Sequence, residues 1–338
     1  MIINTSNLYR PQDAVKLAFQ AAFGAEHLLK DVDKARAYFD EEYSKSSESA
    51  PLVEEIAHEV VRINISAWKE ANLPADLLFD LFVFSSTTKN ENANQMFLTY
   101  LYEFEQLSKK GALLFSYSDW TDFMVGYNTS IKPQPVRHSD EYREKKKPAY
   151  RVVSGFYVRL IPILYALRGL PHAVIGIDGR AASGKSLIAS GLSGILKTVP
   201  ISMDDFFLPS ELRSEKRLDE PGGNVHYERF AKEVLPNLHS KQSISYRPFN
   251  CKKMDFDAMK NIPPAQFMII EGAYSHHPYF GDFLDLKIFS DVTPDLQMGR
   301  LTKRNGEQMA EVFKNKWIPM EEKYFKKYKI KENSCLLV

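Results

Sequence analysis

Through most of the first 169 positions, apolar residues recur at helical spacing. Ala14, Val15, Leu17, Ala18, Phe19 and Ala22 share one face of a segment that Pro11 can open and Gly24 can close. Leu52, Val53, Ile56, Ala57, Val60 and Val61 repeat in the same way, and so do Phe97, Leu101, Phe104 and Leu107. Residues 77–84 are apolar almost throughout, which fits a buried helix segment. Residues 151–168 read as one more helix, kinked near Pro162 and stopped by Gly169 and Pro171. The expectation is an all-α helical domain over 1–169, packed closely against the second half of the chain because almost no linker separates the two.

Past residue 170 the pattern changes. Residues 173–178 are a short apolar run with β-branched members, as a buried parallel strand requires. Residues 186–196 place Leu187, Ile188, Leu192, Ile195 and Leu196 along one side of a helix. Strand patterns return at 199–207, 267–271 and 286–291, with helical ones at 228–239 and 295–304. Pro319 can open a last helix, whose lysine-rich continuation through Lys331 reads as a solvated face. Alternating strands and helices predict an α/β domain over 170–338, a parallel sheet flanked by helices.

Composition narrows the function. The chain has 338 residues, with 44 Lys+Arg against 43 Asp+Glu. Such balance gives no global reason to expect nucleic acid or an acidic membrane surface as partner. Cys251 and Cys335 are the only cysteines and make neither a disulfide framework nor a zinc pattern. The first residues lack the basic and apolar regions of a signal peptide, and no apolar run is long enough to span a bilayer. A soluble, cytoplasmic protein is expected. The final Cys335-Leu336-Leu337-Val338 fits a prenylation box only superficially, since Val is atypical at its last position.

The chemistry concentrates at residues 179–186, Gly179-Arg180-Ala181-Ala182-Ser183-Gly184-Lys185-Ser186, the G-x-x-x-x-G-K-S of a phosphate-binding P-loop. Its glycines let the backbone wrap a polyphosphate, Lys185 adds positive charge, and the Ser186 hydroxyl can ligate Mg²⁺. Strand, loop and helix come in the required order, so Gly179–Ser186 and Leu187 are the expected nucleotide contacts, at a helix N-terminus. Asp204 and Asp205 end the next strand, where ligands of open α/β sheets bind, and either could orient a substrate hydroxyl. The run 267–271 ends in Glu271, as a Walker-B-like strand does. Arg300 and Arg304, one helical turn apart, are suited to gripping phosphate.

In this order the segments 179–186, 204–207, Tyr246, 270–272 and 300–306 resemble the uridine kinase and phosphoribulokinase family of P-loop phosphotransferases. The resemblance covers 173–306. It implies ATP·Mg²⁺ as donor and Asp204 as base toward the acceptor hydroxyl. It implies Ser186 and Glu271 around the metal, and Arg300 and Arg304 as charge-stabilising lid residues. The chain departs from the family in carrying Asp204-Asp205-Phe206-Phe207 where uridine kinases tend to have Asp-Ser-Phe-Tyr. It also has Pro221-Gly222-Gly223-Asn224-Val225-His226-Tyr227 in place of Pro-x-x-Phe-Asp. Both departures lie on the acceptor side. Asp205, His226, Tyr227, Tyr246 and Arg247 are the candidate acceptor contacts, and the acceptor is expected to be a small nucleoside- or sugar-like molecule. A nucleotide-hydrolysing switch acting through the helical half is the competing class, although no Asn-Lys-x-Asp guanine-reading motif is present.

The first half offers fewer signals. His27 reads as a buried or capping histidine, and 115–127 as aromatic packing between helices. His58-Glu59-Val60-Val61-Arg62 begins like a zincin but carries Arg where the second His must stand. Residues 137–151, polar, basic and aromatic, read either as a solvated segment or as a substrate-contacting arm. The half is left to close over the acceptor or to make a homo-oligomer contact, and the sequence does not choose.

Overall fold

The computed structural model describes residues 5, 7–26, 29, 31–47, 50–87, 89–127 and 133–338, so His27 and Lys132 lie outside the described residues. The chain divides into two compact units, Met1–Arg159 and Leu160–Val338.

The first unit is not all-helical. Helices Pro11–Phe23, Ala75–Ser86 and Ala93–Lys109 are present. They accompany a three-stranded antiparallel sheet in the order β1 (Val53–Ala57), β2 (Val60–Asn64), β3 (Tyr150–Ser154). The residues read as one helix at 52–61 are the two arms of a hairpin. Its turn is His58-Glu59, with Glu59 at φ 60°, and Ala57 pairs with Val60 across it. Two apolar, two polar, two apolar fits a helix face as well as a tight hairpin. No Gly or Asn marks the turn, and the β-branched Val53, Ile56, Val60, Val61 and Ile63 decide for the sheet. The expected helix over 151–168 fails likewise. Val152 and Val153 are buried in β3, and helix resumes as the short segments Gly155–Val158 and Ile161–Leu167. The 115–127 aromatics pack as expected, with buried Trp120 stacked on Phe115 at 6.2 Å. They join a core that includes Phe19, Ile56, Phe97 and Phe104.

In the second unit the strands are β4 (Ala173–Gly179), β5 (Ile201–Ser202), β6 (Ile244–Tyr246), β7 (Phe249–Asn250), β8 (Asp255–Phe256), β9 (Lys260–Ile262), β10 (Phe267–Glu271), β11 (Leu286–Ser290) and β12 (Leu336–Leu337). Five of them form an all-parallel sheet in the order β12-β11-β4-β10-β5, while β6 pairs with β9 and β7 with β8. Strands buried on both faces explain the unbroken apolar runs. Val174, Met268 and Ile270 face a core shared with Phe230, Tyr324 and Phe325. Ile175, Ile177 and Ile269, alternating with them, are equally buried on the other side. The helix read at 228–239 is shorter, Tyr227–Glu233, and gives way to a 3-10 turn Leu235–Asn237 where Pro236 lacks a donor. The strand read at 199–207 is only β5; a 3-10 turn, Met203–Phe206, carries both aspartates. Among the described residues no helix is long and apolar enough to cross a membrane.

Candidate active site

Parallel register brings the chemistry to one edge. Ile177 of β4 pairs with Glu271 of β10, and Glu271 with Ser202 of β5, so three strands end side by side. On the other side of β4, Gly179 pairs with Ser290. Gly179 is at φ 139°, and a Cβ there would lie 2.0 Å from the Ser290 carbonyl oxygen, so no other residue fits. The P-loop turns through Ala182 at φ 56° and Gly184 at φ 108° into the helix Lys185–Leu196.

That helix makes its first internal bond from the Ile188 N–H to the Gly184 carbonyl. The N–H groups of Lys185, Ser186 and Leu187 thus have no intrahelical acceptor, the arrangement that binds anions. The Ser183 hydroxyl is buried without a hydrogen-bond partner among the described residues. The Lys185 ammonium curls back on its own loop, donating to the carbonyls of Gly179 (2.8 Å) and Arg180 (2.7 Å). Arg180 points elsewhere, its Nε 2.8 Å from Asp291 and an Nη on Glu322.

Glu271, only 8% exposed, accepts hydrogen bonds from the hydroxyls of Ser186 (3.0 Å) and Ser202 (2.7 Å). Asp204 stands two residues beyond Ser202. Although the residue is exposed, desolvation raises its carboxyl above the ordinary range; the negative Glu271 adds to this, and Lys185 and Arg304 oppose it. Arg304 is exposed and, among the described residues, its side chain hydrogen-bonds only to Asn305, so it reaches Asp204 through its charge. Arg300 is no free lid residue. Its guanidinium donates to the P-loop carbonyls of Ala182 (3.0 Å) and Ser183 (3.4 Å), while Gln297 holds that of Ala181.

The acceptor-side candidates are mostly engaged within the protein. Asp205 accepts from the Tyr246 hydroxyl (2.8 Å) and from Lys260 (3.1 Å). Burial, then the charge of Asp205, pushes the Tyr246 hydroxyl far up. Arg247 donates to the carbonyls of Phe256 and Asp257, fastening the β7–β8 hairpin. His226 caps the helix Tyr227–Glu233, and Tyr227 stacks on His277 while its hydroxyl bonds to Glu220. His277 is buried and packs on Tyr227 and Tyr324. The His172, His239 and Asp285 group has ligand spacing but lies mostly exposed at the opposite, amino ends of the strands.

Several site residues escaped the sequence reading. Asp178, fully buried, accepts from the Tyr324 hydroxyl and from the Tyr274 and His276 amides, bracing the strand under the loop. A charged residue closing an apolar strand was its signal. Ser202 shares Glu271 and had no signal beyond its strand end. Glu321 is the surprise. It sits in the helix Ile318–Tyr328, 7% exposed, and accepts the P-loop Ala181 N–H at 2.9 Å. Burial lifts its carboxyl to about 7, with Lys185 pulling the other way.

No family model matches the chain, and no curated protein does. Solved structures do resemble it. A "possible uridine kinase from Bacillus stearothermophilus" is 16% identical, with a TM-score of 0.42, over 54% of this chain and 96% of that one. A "putative fructose transport system kinase from Silicibacter sp. TM1040" is 18% identical, with a TM-score of 0.44, over 54% of this chain and 98% of that one.

Proposed function

We propose that the second unit transfers the γ-phosphoryl group of ATP to a hydroxyl of a small nucleoside- or sugar-like acceptor. One observation carries the reading: the P-loop serine, a buried carboxylate and a second, exposed carboxylate come together at the carboxyl ends of three adjacent parallel strands. A loop with three unengaged helix-start N–H groups suits a polyphosphate. The Ser186 hydroxyl and Glu271 carboxylate, both hard oxygen donors, suit Mg²⁺, which binds through few protein ligands and keeps its waters.

In this mechanism Lys185 leaves its loop carbonyls for the β- and γ-phosphates, and the first-turn amides of the helix Lys185–Leu196 fix them. Ser186 and Glu271 would hold the metal, which would neutralise charge on the donor phosphates. Asp204 accepts the proton of the acceptor hydroxyl, and its raised pKa makes it a stronger base than an ordinary carboxylate. Arg304 adds positive charge at the mouth, and Arg300 and Gln297 keep the loop in shape. Positioning and electrostatics supply nearly all the catalysis such transfer needs.

The test is ADP release from ATP·Mg²⁺ across nucleosides, sugars and polyols, with Asp204→Asn alongside. Acceptor-dependent release in the wild type, lost in the variant, is expected. Equal release with and without every acceptor would replace transfer by hydrolysis.

A further inference from the structure

The first unit contains a cavity of about 1250 Å³, larger than the ~300–1,000 Å³ of ordinary small-molecule sites. Three of its lining residues, Gln20, His138 and Tyr150, belong to a side-chain network that Arg62 and Asp13 complete. Arg62, 4% exposed, donates from Nε (3.1 Å) and Nη2 (2.7 Å) to the Gln20 amide oxygen. Gln20 in turn presents its amide nitrogen to the Tyr150 hydroxyl at 3.2 Å. That hydroxyl lies 2.6 Å from His138 Nε2, and His138 Nδ1 lies 3.5 Å from Asp13, itself held by the Ser139 N–H and hydroxyl. Burial brings His138 down to about 4, so at neutral pH its ring is uncharged and Nε2 can accept the tyrosine proton.

The walls carry six cations, three of them paired: Lys34 with Asp31, Arg151 with Glu42, Arg143 with Asp140. Two are different. Lys16 lies one helical turn before Gln20 and faces the same cavity. Its ammonium has no carboxylate partner among the described residues, only the Val136 carbonyl at 3.4 Å. Burial and the nearby Arg62 charge loosen its proton, to about 8. Arg137, at the rim, makes no ion pair among the described residues. Lys16, which feels the Asp13 charge only at a distance, and Arg137 make no ion pair among the described residues, so a dianion would complement both. A phosphomonoester carries about −1.5 to −2 at neutral pH, whereas a carboxylate carries one. Tyr38 and Phe82 offer apolar wall for an organic body.

We infer that this cavity is a second binding site, for a small phosphomonoester, in which Lys16 and Arg137 grip the phosphate and the Gln20–Tyr150 pair lies rigid behind it. The site stands apart from the phosphotransfer reading. On this proposal residues 137–151 are a ligand-contacting segment, since Arg137, His138 and Tyr150 all line the cavity.

The experiment is calorimetric titration of the full chain carrying Lys185→Ala, which weakens phosphate binding at the P-loop. The probes are ribose 5-phosphate, glycerol 3-phosphate and a nucleoside 5′-monophosphate, with ribose, acetate and inorganic phosphate as controls. At least one phosphomonoester should bind at least tenfold more tightly than ribose, acetate and inorganic phosphate. Adding Lys16→Gln or Arg137→Gln should weaken it tenfold or more while the melting temperature of the Arg137 variant stays put. Arg137 is exposed, so its variant tests the site without risk to the fold. Failure of all three phosphomonoesters, equal binding of ribose or acetate, or indifference to Arg137→Gln would overturn the proposal.

Discussion

The P-loop edge and the cavity of the first unit assemble polar groups in opposite ways. At the P-loop the recognising groups are backbone amides at one helix start, and the side chains around them come from strand ends held in register. In the cavity they are side chains alone, Lys16 and Arg137, beside a network interlocked from Asp13 through His138, Tyr150 and Gln20 to Arg62. A backbone cradle survives loss of the side chains it carries, so substitutions there should alter the reaction more than the fold. An interlocked network has no such independence, so substitutions there should cost stability first.

The largest expected effect lies on the reaction side. Lys185→Ala should lower acceptor-dependent turnover by roughly 10²–10³-fold, the scale of removing one charge-stabilising donor. Its urea midpoint should stay near that of the wild type, and a collapse of stability would break the contrast. Next comes the network. Although burial works against it, the adjacent His138 ring and hydrogen bonds from the Ser139 N–H and hydroxyl hold the Asp13 carboxyl below its usual range. Its stabilising effect is therefore present above the unfolded carboxyl's pKa and disappears as pH falls through the lower, folded value. Asp13→Ala leaves the Ser139 donors unpaired and should cost on the order of 2 kcal/mol at pH 7, read by chemical denaturation, and much less once the folded carboxyl is protonated. A loss below about 1 kcal/mol at pH 7 would show that the network does not support the fold.

These contrasts explain what could be read from residues alone. The P-loop was legible because its physics is local: eight consecutive residues carry the turn, the charge and the hydroxyl, and apolar runs on either side declare strand and helix. Asp204 and Glu271 were legible because an acid closing an apolar strand stands out. Glu321 was not. It reaches the loop from a helix about 140 positions on, inside a stretch whose lysines suggest a solvated face. The cavity was opaque for the same reason, Ser139 lying 126 positions from Asp13. The β1–β2 hairpin failed for a different one: its apolar spacing satisfies two periods at once, and its turn uses Glu59 at positive φ where glycine or asparagine would have given it away.

Glu321 sharpens the comparison, being a side chain that occupies a backbone donor of the cradle. Its folded carboxyl titrates near 7 against 4.5 in an ordinary setting. Between those values the folded chain keeps a proton that the unfolded chain has lost, so this group's contribution to stability falls as pH rises. Glu321→Gln keeps an acceptor for Ala181 and removes the charge. Its melting temperature should match the wild type near pH 4 and exceed it at pH 8. ATP should bind the variant more tightly at pH 8, by roughly tenfold, in an equilibrium titration. Unchanged affinity would mean that the carboxylate does not face the phosphates.

The smallest effect concerns Arg304. Removing its positive charge favours protonated Asp204, so Arg304→Ala should move the acid limb of the pH–rate profile upward, by less than about one unit. A downward shift would refute the electrostatic link.

The central claim is that Asp204, Glu271 and the P-loop act together on an acceptor hydroxyl. Phosphorus NMR of ATP·Mg²⁺ with the acceptor that best stimulates ADP release tests it most directly. The account predicts that the γ-phosphorus signal converts to a phosphomonoester resonance with wild-type protein. With Asp204→Asn it should persist although ATP still binds. Inorganic phosphate as the sole new product, or the same phosphomonoester formed at the same rate by Asp204→Asn, would contradict it.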